Sequence, residues 1–515
     1  MNDYSARRVP AYLCLTLAWA MAMPVMAGEL GDLLSKFDRA MAGFDPIGKH
    51  VRRPVERAVP DLTFRGFFRQ WSDVMLDGDG QVGFRDKDFR FAQLQNLFEL
   101  ETGYHIADGL DLRGVAHMLY DGVYDWQDSD GLFADSIDRT AELYHTGERV
   151  LRELYLSWRR PGFDLMIGKQ QVAWGKMDGQ FIDIVNAMDR REFVQLETED
   201  YEWRRLPTWM ANATFHLGES TVQLLYVFDF EHARLPLPGS PWASPLAPPT
   251  STDVMLPARR PEAGDFGDHQ YGIRVDRAAG ALTYGFVYFY AWDKFSHGHV
   301  LGTTVRDGQR VLRIEPRHER VHHAGVTADY ALTFQDVPLV GSLPTVLRFE
   351  ALYTNGVRFD DFRKRAAALA GSTTDGTTKR DTLRAAIAAE FALPGRTTVI
   401  LQPSWYQTID HEEELGFGFG GGFNDEWSFI PVVFFSRPFA FTRDRMSVEF
   451  TAFPLIGGPD SNWGGLKTKL RVIYKFSQFV RGQLVYNGYD FGDPTDFYGQ
   501  YDQWDNVGWE LSYEF

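Results

Sequence analysis

Apolar and polar residues alternate with a period of two along most of this chain, and the last eleven residues show it most plainly. Val507, Trp509, Leu511, Tyr513 and Phe515 fall on one face of a strand, and Asn506, Gly508, Glu510, Ser512 and Glu514 on the other. One wholly apolar face backed by a polar one suits a wall between lipid and water. As the edge of a soluble sandwich, such a strand would leave an aromatic edge open to pairing.

Similar segments follow one another from Leu62 onward. Leu110, Leu112, Gly114, Ala116, Met118 and Tyr120 alternate with a row that carries Asp111, Arg113 and His117. Leu282, Tyr284, Phe286, Tyr288, Tyr290 and Trp292 form one face of another segment. Leu347, Phe349, Ala351 and Tyr353 oppose Arg348 and Glu350; Met446, Val448, Phe450 and Ala452 oppose Ser447, Glu449 and Thr451; Leu470, Val472 and Tyr474 oppose Lys469 and Arg471. A charged row turned to lipid would cost about 2–4 kcal/mol per Arg or Lys near the midplane, so these rows face a lumen.

The spacing predicts 18 strands, at 62–71, 90–104, 109–120, 147–159, 163–169, 209–217, 221–230, 269–276, 281–292, 321–333, 345–355, 381–391, 397–407, 426–438, 444–454, 467–477, 481–490 and 505–515. Sixteen is the alternative, because 163–169 and 381–391 are weak. Short links near Ala107, Pro161, Glu219, Ala279, Pro394, Arg443 and Phe479 alternate with long ones, and only the link near Leu339 blurs the rule. The expected fold is therefore all-β: a transmembrane antiparallel barrel with short periplasmic turns and long extracellular loops. Both ends of the barrel then lie on the periplasmic side.

The N-terminus changes the picture in one respect. Arg7 and Arg8, an apolar run from Ala11 to Met26 and small residues at Val25 and Ala27 read as a secretory leader, residues 1–27. The only cysteine, Cys14, lies within it, so no disulfide or cysteine-bound metal is expected afterwards. Residues 28–61 carry Leu30, Leu33, Leu34, Phe37 and Met41 at helical spacing, then Pro46, Pro54 and Pro60. They read as a periplasmic segment, a lumen plug or a disordered tail, and 62–515 as the barrel.

Composition agrees. Mean hydropathy is low at -0.29, yet aromatics reach 15%, as expected for strands apolar on one face only. A formal net charge of -17 argues against a nucleic-acid partner. The proline-rich loop at 231–268 projects outward or folds over the mouth. Asp77 and Asp79, and Asp125, Asp128 and Asp130, form acidic turns that calcium could use, although neither has EF-hand spacing. The glycine-dense stretch from Gly416 to Gly422 lacks a phosphate-loop lysine. His322 and His323 alternate faces, and His411 has no second histidine in a zinc-protease pattern. No catalytic, cofactor or metal site emerges, and the expectation is a protein that is not an enzyme.

The most informative stretch runs from Gly168 to Phe193. A strand end, Gly168, Lys169 and Gln170, is followed by Trp174 and Gly175, then by Asp183, Asn186, Asp189, Arg190 and Arg191. Trp174 and Phe193 could anchor it to the wall, and its charges could pair with those of the lumen. It reads as an inward-folded constriction or a structural brace. Candidate pore or constriction residues are Arg113, Trp174, Asp183, Asn186, Asp189, Arg190, Arg191, Arg348, Glu350, Lys469 and Arg471.

This stretch resembles the signature of a family of large Gram-negative outer-membrane proteins catalogued as domain of unknown function 1302. That family shows a strand ending in GRQ-x-x-x-WG-[ED] and then x-D-x-x-NP-x-D-x-R. Gly168, Gln170, Trp174, Gly175, Asp183, Asn186, Asp189 and Arg191 match, while Lys169, Lys176 and Ala187 depart from it. A weaker likeness is to the alginate-export barrel. The resemblance implies an outer-membrane channel or transporter for organic solutes, hydrophobic or lipid-like ones included. It also implies contact with outer-membrane lipid and lipopolysaccharide, and partnership with a periplasmic carrier and an inner-membrane exporter. A structural or adhesive barrel is the alternative.

Overall fold

The computed structural model describes residues 36, 38, 39, 41, 43–76, 89–126, 150–177, 182–192, 201–236, 240–242, 253–416, 424–457, 462–492, 499–502 and 504–515. The expected leader, residues 1–27, together with Asp77, Asp79, Asp128, Asp130, Phe193 and most of the stretch from Gly416 to Gly422, lies outside the described residues.

Eighteen antiparallel strands form one closed barrel. They are β1 (Leu62–Met75), β2 (Phe91–Ala107), β3 (Leu110–Asp121), β4 (Leu151–Arg160), β5 (Phe163–Gln170), β6 (Thr208–Leu217), β7 (Ser220–Val227), β8 (Gln270–Ala279) and β9 (Leu282–Trp292). The second half comprises β10 (Arg320–Val337), β11 (Gly341–Asp361), β12 (Thr377–Leu393), β13 (Thr397–Gln402 with Ser404–Thr408), β14 (Trp427–Phe429 with Val432–Pro438), β15 (Met446–Gly457), β16 (Asn462–Lys475), β17 (Val480–Phe491) and β18 (Asn506–Glu514). Each strand pairs with its neighbours in sequence, and β1 closes the ring on β18 with Phe67 opposite Glu514 and Met75 opposite Asn506. Closure removes the open edge that the terminal strand would otherwise present.

Exposure confirms which face meets lipid. On β18, Val507, Trp509 and Leu511 are 39%, 40% and 51% exposed, whereas Asn506, Glu510 and Ser512 are 0%, 9% and 2%. A tight approach fixes Gly508 at the seam, because a Cβ there would stand 1.9 Å from Asp73 Oδ1. The weak segments are both real strands. β12 read weakly because Ala385, Ala386, Ala388 and Ala389 follow one another, and the last section of the lumen core packs on two of them. Near Leu339 the chain makes a tight turn, with Leu339 at φ +68 and Gly341 at φ +78, so that link also belongs with the short ones.

Two long links are more ordered than their patterns suggested. The link at 293–320 contains a hairpin, His297–Arg306 with Gln309–Arg317, joined in parallel by Val254–Met255 from the proline-rich loop. The link at 356–380 is shortened by longer strands and holds a helix, Phe362–Leu369, whose Ala368 packs with Val300, Leu312 and Ile314 of the hairpin. Together they form a crown at the long-loop end.

Among the described residues, the largest apolar core lies inside the barrel. Val172, Trp174, Met177, Ile182, Ile184 and Val185 of the segment after β5 pack on the inner faces of β6, β7 and β9–β12. The wall supplies Met210, Leu225, Val227, Val287, Phe289, Ala291, Val321 and Leu352. A second core lies at the long-loop end: Trp242 of the proline-rich loop, which leaves from β7, packs on Tyr501 and Trp504 between β17 and β18, and on Met75 of β1. By strand order Trp242 therefore stands far from the strand its loop leaves.

Candidate functional site

The described residues between 171 and 206 fold into the lumen because both their polar and their apolar groups find partners there. Trp174 is 1% exposed, sits edge-on to Phe289 with ring centroids 5.9 Å apart, and donates from Nε1 to Gln223 Oε1 at 2.7 Å. Arg274 Nη1 donates to the Trp174 carbonyl at 2.5 Å. Gly272 makes room for the indole, since a Cβ there would come 2.9 Å from it. Next, the Lys176 amide donates to Glu350 Oε1 at 2.7 Å, and Lys176 Nζ pairs with Asp329. Arg348 extends this chain, 2.6 Å from Glu390 and 3.8 Å from Asp329.

Asn186 ties both ends of the segment together. Its Oδ1 accepts from the Val172 amide at 2.7 Å, and its Nδ2 donates to Leu206 O at 2.9 Å and Thr208 Oγ1 at 3.3 Å. Asp183 pairs with Arg205 at 2.6 Å. Burial pushes the Asp183 carboxyl up, and Arg205 opposes that. Asp189 accepts from Arg191 Nε at 2.8 Å and lies 3.8 Å from Arg234 of the proline-rich loop. Burial alone would raise Asp189, but Arg191, Arg234 and Arg204 outweigh it and hold the carboxyl well below its usual range. The Arg190 amide donates to Arg234 O at 2.8 Å, and its guanidinium lies over the Phe295 ring, 5.6 Å from the centroid. The two inward segments are thus knitted together. Glu192 completes the belt, bonded to Gln95 of β2 and 3.3 Å from Arg204.

The opposite wall is charged rather than apolar. Arg69, Trp71, Asp73, Lys469, Arg471, Arg481, Gln483 and Glu510 surround a cavity of about 130 Å³. Arg471 pairs with Glu449 of β15, while Glu510 takes Arg481 at 3.2 Å and Arg69 at 3.5 Å. Between β3 and β4 the register slips at Val115, so consecutive residues Arg152 and Glu153 are both buried. Arg152 then stands 4.0 Å from Glu99, and Glu153 accepts from Gln171 at 2.7 Å.

A family model described as "Protein of unknown function (DUF1302)" matches residues 41–515. The chain belongs to that family. It is an outer-membrane barrel, with the apolar band of its wall outward. No curated protein matches the DUF1302 chain. Solved structures similar to it include Pseudomonas aeruginosa OccK8 (OprE), at 11% identity over 89% of this chain and 98% of that one, with a TM-score of 0.47. Pseudomonas aeruginosa OpdK with vanillate is 11% identical over 88% and 99%, with a TM-score of 0.46. Acinetobacter baumannii OccAB4 is 10% identical over 88% and 98%, also at 0.46. Overlaps of that size decide nothing about solute.

The family's motif positions act as fasteners of the inward segment. Gly168, at φ +141, has no space for a Cβ, which would lie 2.2 Å from Leu154 O. Gln170 donates to Met210 O at 3.3 Å and accepts from Asn212 at 3.2 Å. Trp174, Asp183, Asn186, Asp189, Arg190, Arg191, Arg348 and Glu350 come together in this belt. Lys469 and Arg471 belong to the opposite charged wall, and Arg113 lies along β3, its guanidinium over Gly103. Arg205, Arg234, Arg274 and Glu192 were not among the expected residues. Among the described residues, no three His, Cys, Asp or Glu side chains are placed to hold a metal.

Proposed function

We propose that this barrel is a passive outer-membrane channel for organic solutes, hydrophobic or lipid-like ones among them. The observation that supports it is the division of the lumen. One side is filled by a segment fixed on an apolar core, and the side opposite by strand order keeps buried charge around a cavity of about 130 Å³. A wall built only for stability would gain little from desolvating Lys469 and Arg471 together. A narrowed path with a charged side favours solutes that carry both apolar and polar parts. Transport is then driven by the solute gradient, or by delivery from a periplasmic carrier fed by an inner-membrane exporter.

The test is reconstitution of the purified chain in planar bilayers and liposomes. Discrete conductance steps and uptake of amphiphilic organic acids are expected. A tight membrane with neither would overturn the reading. That result would favour a structural or adhesive barrel, for which the packed crown of hairpin and helix is the supporting feature.

A further inference from the structure

The described residues between 38 and 58 touch the outer face of the barrel wall. Tyr513 and Tyr474 lie in the lipid-facing rows of β18 and β16. Asp38 accepts from Tyr474 at 3.1 Å and pairs with Arg445; Asp45 accepts from Tyr513 at 3.1 Å, and Phe44 sits edge-on to the same ring at 5.5 Å. Glu56 then accepts the Phe64 amide of β1 at 3.3 Å. The segment therefore runs as a strap around the short-turn rim, over the seam where β18 meets β1.

Its charges are sorted. Asp45 is 1% exposed and taken up by Tyr513, the Gly48 amide and Arg53, and Glu56 by the β1 backbone. The basic residues are arranged otherwise. Through the π-helical turn Gly48–Arg52 and the helix Arg53–Ala58, Lys49, Arg53 and Arg57 recur at every fourth position with His50 and Arg52 beside them. Lys49, His50, Arg53 and Arg57 are exposed. Phe44, Val51 and Val59 are exposed as well, at 44%, 46% and 41%. Exposed apolar side chains beside a basic stripe, at the level of an aromatic rim, match a segment lying in a membrane interface. The basic stripe stands out in a chain whose net charge is -17.

We propose that this strap lies on the periplasmic leaflet of the outer membrane and holds the phosphate headgroups of anionic phospholipids. An acidic protein would satisfy the bases, but it would leave Val51 and Val59 without a reason to be outward. The proposal rests on the barrel and not on transport through it.

The test uses the full mature chain in mixed detergent–lipid micelles, with retained lipids counted by native mass spectrometry. Phosphatidylglycerol should be retained over phosphatidylcholine by at least about tenfold, as several juxtamembrane bases imply. The triple variant Lys49→Gln, Arg52→Gln, Arg57→Gln should lose most of that preference and keep its heat-modifiable mobility on gels. Arg53 is left in place because it holds Asp45. If the triple variant does not fold, Val51→Asp with Val59→Asp supplies the second arm and should also reduce lipid retention. Equal retention of the two lipids, full competition by inorganic phosphate, an unchanged triple variant, or tighter binding of polyglutamate than of phosphatidylglycerol vesicles would each overturn the proposal.

Discussion

Replacing Trp174 by Ala should release the inward segment from the wall without unfolding the barrel. The indole is almost fully buried against Phe289 and spends its one N–H on Gln223. Truncating a buried Trp costs about 3–5 kcal/mol. Leaving the Gln223 carbonyl without a donor is part of that loss, at about 1–3 kcal/mol. The strand ladders of the wall do not depend on this residue, so the cost falls on docking of the inward segment around it. At about 1.4 kcal/mol per factor of ten, the undocked population should rise about a hundredfold or more. In planar bilayers the variant should show larger and noisier conductance than the native chain. Trp174→Phe keeps an aromatic ring in the pocket but loses the hydrogen bond and part of the indole's volume, so its conductance should fall between the two. Gly272→Val, which drives a side chain into the same space, should resemble Trp174→Ala. Native conductance and noise in a folded Trp174→Ala barrel would refute the reasoning.

Asp189→Asn should leave Arg191 and Arg234 without their shared carboxylate, at a cost of about 3–5 kcal/mol to the inward segment, read as protease sensitivity of that segment. The carboxyl of Asp189 is held below its unfolded value, so its contribution is present above pH about 4 and is lost as pH falls further; the variant should lack that acid transition. Lys294 runs the other way. Burial draws it down to about 8, so as pH rises the folded chain gives up this proton before the unfolded chain does, and stability should climb between pH 8 and about 10.4. Lys294→Met should raise Tm at pH 7 and flatten that climb. Gly508→Val should weaken closure at β18 and β1, because its side chain would displace Asp73; heat-modifiable gel mobility should report a lower melting point, by overpacking of about 1–3 kcal/mol.

The lipid face was legible because lipid and water impose opposite demands on alternate residues, and Val507 to Phe515 obey both. The inner face was legible only where it is charged, as at Arg348, Glu350, Lys469 and Arg471. Val287, Phe289 and Ala291 face the lumen yet are as apolar as their lipid-facing neighbours, so alternation could not show that a second segment covers them. The motif around Trp174 marked where the inward fold begins. Its partners Arg205, Arg234 and Arg274 are distant in sequence and carry no local signal. The crown hairpin did leave a mark, the Asp307–Gly308 pair between two β-rich runs, with both residues at positive φ as a tight hairpin turn requires. The placement of the N-terminal strap outside the wall depends on Tyr474 and Tyr513, more than four hundred residues away, and no periodicity within residues 28–61 could reveal it.

The central claim is a wall wet on one face and lipid-bound on the other, enclosing a path for solutes. Cys14 is the only cysteine of the sequence and lies ahead of the barrel, so single cysteines can be placed at Gln483, which lines the charged cavity, and at its neighbour Leu484, which is 61% exposed on the outer face. A small charged thiol reagent added to intact cells should label Gln483→Cys and spare Leu484→Cys. Equal labelling of the two, or labelling of Leu484→Cys alone, would contradict the account.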